Sequence, residues 1–268
     1  MPDSRQLLLF ALIAALVGLA WWGGLDRVAE GYVNDSLLDA GIIYGVARGI
    51  NALVSTLQGT ELDILVLTIS VGQVLDPVND LIERFSGVMT IAIASLVIQQ
   101  LLLVIVSHVS FTVGLTVLAL LVIAMALLRR YYLDSNATQD EDSASALTAE
   151  VILRLFLLAV FLRFSLGLVV VANLWVDQVF LPGTDAMEFR VMQSFKGELE
   201  QIDDTVRDSP RATSTIAGQF DAIEERIERF ADSSIRLMGA LLLKAVILPV
   251  LFLWAMYLVG RAVLSRSD

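Results

Sequence analysis

Cysteine is absent from this chain, and histidine occurs once, at His108. The first absence removes disulfides, thiolate nucleophiles and cysteine-based metal sites. The second removes histidine-rich metal centres. Basic residues are scarce as well: 18 Lys and Arg stand against 29 Asp and Glu, a formal net charge of −11. Nucleic-acid binding rests on clustered Lys and Arg, so this balance argues against it. It argues equally against docking on anionic lipid through a polybasic patch. G-x-S-x-G, H-E-x-x-H, the P-loop and G-x-G-x-x-G are all missing, and with them the enzyme classes those motifs mark. His108 lies between Ser107 and Ser110. Neighbours in a short turn rarely reach nucleophile–base geometry, and no nearby carboxylate orients the ring. The expectation is a protein without catalytic residues, cofactor or metal.

What the chain has in excess is apolar sequence, 57% hydrophobic residues at a mean hydropathy of +0.75. Soluble domains hold about 45–50% apolar residues, so the surplus calls for lipid. Five long runs carry it: 7–22, 87–106, 109–128, 151–175 and 237–259. A helix needs about 18 or more such residues to cross roughly 30 Å of hydrocarbon. The fold class expected is all-α, a polytopic transmembrane bundle. Arg5 and the run from Leu7 resemble a signal peptide, but Asp3 weakens the positive start and Trp21-Trp22 read as interfacial anchors. Residues 1–23 are therefore read as a retained anchor helix.

Residues 24–85 are ambiguous. The stretch 36–57 is mostly apolar yet carries Asp39, Arg48 and Asn51. Gly41, Gly45 and Gly49 recur every four residues, a small-residue face that lets membrane helices pack closely. It reads as a sixth span or as an amphipathic helix in a small extramembrane domain. Orientation tips it towards a span. Placing Arg5, Arg129, Arg130, Arg261 and Arg266 all in the cytoplasm follows the positive-inside tendency and needs an even number of crossings. Residues 60–75 are β-branched and short, suiting a strand or a re-entrant segment. Asp76-Pro77 reads as a helix start, with Asp capping and Pro opening. Residues 86–128 read as a two-span hairpin turning at His108, 129–150 as an acidic linker and 151–181 as one span.

Between the last two spans, 185–236 reads as an extramembrane antiparallel helical hairpin of coiled-coil type. Met192, Phe195, Leu199, Ile202 and Val206 form one seam; Ile216, Phe220, Ile223, Ile227 and Phe230 form the other. Asp208-Ser209-Pro210 supplies the turn. The seams either pack on each other alone or also present a surface to a protein partner. The second arm has no breaker before the last span and basic tail, 237–268.

Polar residues within apolar runs are the candidate functional groups, because each is costly in lipid unless paired. Arg163 stands out, about 18 Å along the 151–175 run by the helical rise. No carboxylate sits at the centre of a clear span to pair with it, and Asp39 and Asp63 qualify only if their segments enter the bundle. Either it bonds helix ends or carbonyls, or it lines a polar pathway. Arg48, Asn51, Ser95, Gln99, Gln100, Asn173 and Lys244 complete the set, and Pro249 marks a kink.

The words GINALVSTLQGTELDI (49–64), GQVLDPVNDLIERFS (72–86) and ILPVLFLWAMYLVGR (247–261) resemble a group of uncharacterised bacterial integral membrane proteins. That resemblance implies a bacterial inner membrane and no particular chemistry. The expected function is a non-enzymatic, oligomeric channel- or transporter-like assembly in the lipid bilayer, with both termini cytoplasmic. The alternatives are a scaffold or signalling partner acting through 185–236, and an intramembrane enzyme.

Overall fold

The computed structural model describes residues 4–59, 68–134, 142–180, 183–208 and 213–265, and among these the backbone is helical with no strand. The helices are α1 (Ser4–Trp22), α2 (Gly24–Gly59), α3 (Thr68–Ser107), α4 (Val109–Asp134), α5 (Asp142–Phe180), α6 (Thr184–Asp208), α7 (Thr213–Leu242) and α8 (Leu248–Ser265). A π-helical turn, Leu243–Ile247, joins α7 to α8.

Five helical stretches are long and apolar enough to cross a bilayer: Gly24–Gln58, Leu75–Ser107, Val109–Leu128, Thr148–Val179 and Arg226–Leu258. Only 22–39% of the residues in their most apolar windows are buried within the chain, so lipid is the solvent that such surfaces require. On α3, Leu101, Leu102, Val104 and Ile105 are each 43–60% exposed, which leaves the last turns of this helix apolar on every side. The run at 7–22 departs from expectation. Its apolar helix, Gln6–Trp22, has 17 residues, or about 25 Å, shorter than those five and at the lower limit for a crossing. What ends it is Gly23, held at φ +61° where a side chain would be strained.

Two further boundaries differ. Of the strand-like 60–75 segment, 60–67 lies outside the described residues, and from Thr68 onward the chain is helical. Pro77 sits inside α3, so Asp76 is not a helix cap. Its Oδ1 instead accepts the Gln58 amide, 2.9 Å away, tying the end of α2 to α3. The expected linker over 129–150 is helical to Asp134 and again from Asp142, with 135–141 outside the described residues.

The chain divides into two compact units. One takes in 1–33, 98–172 and 249–268. Its core joins α1, α4 and α5 through Ile13, Ala20, Leu115, Ala119 and Phe156. The Trp21 indole N–H donates to Thr116 Oγ1 at 3.1 Å. His108 alone separates α3 from α4: its carbonyl accepts the Phe111 N–H at 2.9 Å, and its Nδ1 accepts the Ser110 N–H at 3.2 Å. The histidine thus caps α4.

The second unit takes in 34–97 and 173–248. Here α2, α3, α6 and α7 share one core. Buried positions recur three and four apart on α2 (Ala40, Ile43, Ala47, Ile50, Val54, Leu57) and on α3 (Leu75, Val78, Ile82, Phe85, Met89, Ala92, Leu96). That spacing keeps one stripe of each helix facing its neighbours. Met192, Phe195, Leu199 and Ile202 of α6 join the same core with Phe230 and Leu237 of α7. Phe195 stacks on Phe230 with ring centroids 4.3 Å apart. Glu198 pairs with Arg226, and Glu188 lies 3.8 Å from Arg236, so the contacts descend α6 as they climb α7. Ile227 is partly buried, while the side chains of Val206, Ile216, Phe220 and Ile223 lie outside the described residues.

Candidate functional site

Arg163 has a partner that sequence spacing did not reveal. Its side chain is 3% exposed and forms a two-pronged pair with Asp26, Nη1 to Oδ1 and Nη2 to Oδ2, both at 2.5 Å. Nη2 also donates to the Ala20 carbonyl at 2.9 Å. The pair follows from the break at Gly23. Ending α1 there strips its last carbonyls of helical donors and places Asp26 in the first turn of α2. Arg27 completes the arrangement by donating to the Trp22 carbonyl at 3.1 Å. Two guanidiniums therefore serve one helix end. Gly167, one turn beyond Arg163, lets α5 approach so closely that a Cβ there would strike Leu25. In this geometry Arg163 both pairs with a carboxylate and bonds the end of α1.

The second cluster surrounds the π turn in the other unit. Lys244 Nζ contacts Asp177 and lies 2.5 Å from Asp185 Oδ2. Lys244 is largely buried, at 13% side-chain exposure, whereas the two aspartates are about a third exposed. One ammonium thus faces two carboxylates. Asn173, four residues before Asp177 and on the same face of α5, is 2% exposed and donates Nδ2 to the Lys244 carbonyl at 3.1 Å. Ser95 Oγ donates to the next carbonyl, that of Ala245, at 2.6 Å. These two carbonyls are the ones that Pro249 cannot serve. A π-type bond from position 249 would reach residue 244 and an α-type bond residue 245, but proline has no N–H. The oxygens Asn173 Oδ1 and Asp185 Oδ1 are buried without a protein hydrogen bond.

Of the other sequence candidates, Gln99 is buried at 8% exposure, Gln100 and Asn51 are partly buried, and Arg48 is exposed. Gly41 and Gly45 have nothing within 4 Å of an added Cβ, so within this chain that face is open. Gly49 faces the Lys196 side chain. Asp39 is exposed, and Asp63 lies outside the described residues. Sequence reading found Asn173, Ser95 and Lys244 but not Asp177 or Asp185, which fall near the end of an apolar run and just beyond it. No protein-family model, no curated protein and no solved structure matches this chain, so its chemistry is read from these two clusters alone.

Proposed function

We propose that this is a multi-pass protein of a bacterial inner membrane that acts as a non-enzymatic, oligomeric channel- or transporter-like assembly. The observation that supports it most is the Lys244 cluster. Ionisable groups on apolar helices are expensive and mark ion or proton pathways more often than ordinary surfaces do. Here one cation is outnumbered by two carboxylates, beside buried oxygens without a protein donor. A π turn, a local distortion common at functional sites, carries the lysine. The cargo that fits is a proton or small cation able to exchange with the ammonium.

The topology proposed follows from the shared core. The stretch 36–57 and the arms at 185–236 pack in one core with α3, which supports placing them together on one side of the membrane. Asp35, Asp39, Arg48 and Glu200 are exposed on it beside Leu38 and Ile42, and these charges favour placing that bundle in water. Residues 75–82 and 192–202 then lie on the same side of the membrane, so an even number of crossings separates them. The runs 87–106, 109–128 and 151–175 are three. An antiparallel helical hairpin ordinarily uses a loop of about 2–5 residues, but His108 alone parts α3 from α4. The four-crossing reading takes 86–128 as one bent crossing, although each of its limbs is by itself long and apolar enough to cross. With α1, α5 and α8 the total is four, which keeps both termini in the cytoplasm without a sixth span. The bent stretch is long for one crossing, about 60 Å of helix, so its limbs run obliquely.

The test is flux. Purified protein in liposomes should carry protons or monovalent cations, and Asp177→Asn with Lys244→Met should abolish the flux while the fold survives. Undiminished flux in that variant, or none in the wild type, would discard the pathway. The scaffold reading through 185–236 would then take its place.

A further inference from the structure

A groove of about 470 Å³ runs along the α6–α7 pair, floored by Phe195 and Phe230. From Met187 to Glu198 it follows α6 for about 16 Å, three turns of helix. Its charged residues are unevenly divided. Glu188 and Glu198 stand on α6, whereas Arg226, Arg229 and Arg236 stand on α7 together with Asp232. Three acids balance three arginines, and two of the arginines already face glutamates across the groove. A free anion or cation gains little from such a neutral site. A partner that carries both signs, segregated in the same way, gains more.

We infer that this groove receives the α6–α7 pair of a second copy of the chain. The inference rests on the oligomeric reading above and names the surface that would make the contact. Copies inserted the same way in one bilayer are related by an axis along the membrane normal. With α7 continuing into its span near that normal, such an axis lays α6 of one copy over α7 of the next at the same height. The acidic row then meets the basic row, and Glu198 shares Arg226 of both copies. Met187, 71% exposed at the rim, supplies apolar area to the contact. Four helices result where each chain provides two, a packing familiar in bundles.

A trans-complementation experiment tests this on the full-length chain in native membranes. Glu198→Arg and Arg226→Glu each break the pair within one chain and the pair between chains. Co-expressing the two variants leaves every within-chain pair broken but restores the acid–base match between chains. Because the protein has no cysteine, Ser194→Cys on one tagged copy and Arg229→Cys on the other report contact through a short bis-maleimide. The expected result is efficient cross-linking of otherwise unaltered copies, several-fold loss in either charge variant alone, and recovery in the mixture. No recovery in the mixture overturns the proposal, as does capture of a different protein at these positions. A dimer by mass that does not cross-link here overturns the groove and leaves the oligomeric reading standing. A monomer in native lipid removes both.

Discussion

Asn173 donates its side-chain amide to the carbonyl of Lys244, 3.1 Å away, in the place where Pro249 has no N–H to offer. A side chain on α5 thereby repairs a defect that proline creates in the last helix. The two residues are far apart in sequence, and their effects should be coupled.

The first prediction concerns that coupling. Asn173→Ala should destabilise the protein by about 0.5–1.5 kcal/mol, the usual scale for a hydrogen bond between membrane helices. In a Pro249→Ala background, which returns the missing N–H, the same change should cost clearly less. Reversible unfolding in mixed micelles measures both values. Equal costs in the two backgrounds would show that the amide does not substitute for the backbone donor.

Arg163 and Asp26 form a buried pair, and removing one partner strands the other. Asp26→Ala should therefore cost about 3–5 kcal/mol, since an uncompensated buried charge is left behind. Removing both, as Asp26→Ala with Arg163→Met, should recover much of that loss, leaving mainly the Ala20 carbonyl without its donor. The same unfolding assay reads this. A double variant as unstable as Asp26→Ala would deny that the pair acts as a unit.

These two clusters mark how far the sequence could be read. Helix content, the apolar runs and the seams of α6 were legible, because burial repeats every three or four residues whatever the neighbour is. Met192, Phe195, Leu199 and Ile202 are all buried as that period requires. The partner of Arg163 was not legible. Asp26 lies 137 residues away in a polar segment, and a single ion pair leaves no period in either strand of sequence. The break at Gly23 that brings it into place rests on one positive φ angle, which composition does not announce. The segment 36–57 was ambiguous for a related reason. Its apolar residues satisfy span composition, yet one stripe of them is buried in a protein core while Leu38 and Ile42 stay exposed beside Asp39 and Arg48.

Close approach at Gly167 gives a third prediction. Any Cβ there would strike the Leu25 side chain, so Gly167→Val should cost about 1–3 kcal/mol through overpacking. Leu25→Ala opens the needed space and should rescue much of it. The glycine would then owe its place to the packing of α5 on the start of α2, and not to backbone freedom. Failure of the rescue would point to another contact.

Membrane topology offers the sharpest discrimination, because the proposals differ by which side a position faces. The wild-type chain has no cysteine, so single cysteines can be labelled in intact cells with a reagent that does not cross membranes. Ser55 on α2 and Glu200 on α6 are both exposed. If their helices share a bundle in the periplasm, Ser55→Cys and Glu200→Cys should label equally from outside. Thr138→Cys, between α4 and α5, should label only after permeabilisation. A six-crossing chain predicts otherwise: the end of α2 would face the cytoplasm, and position 55 would be protected while position 200 reacts. In the four-crossing reading the bundle of α2, α3, α6 and α7 lies on one side, so positions 55 and 200 should react together. Labelling of 55 and 200 from opposite sides would thus remove both the four-crossing topology and the bundle on which it depends.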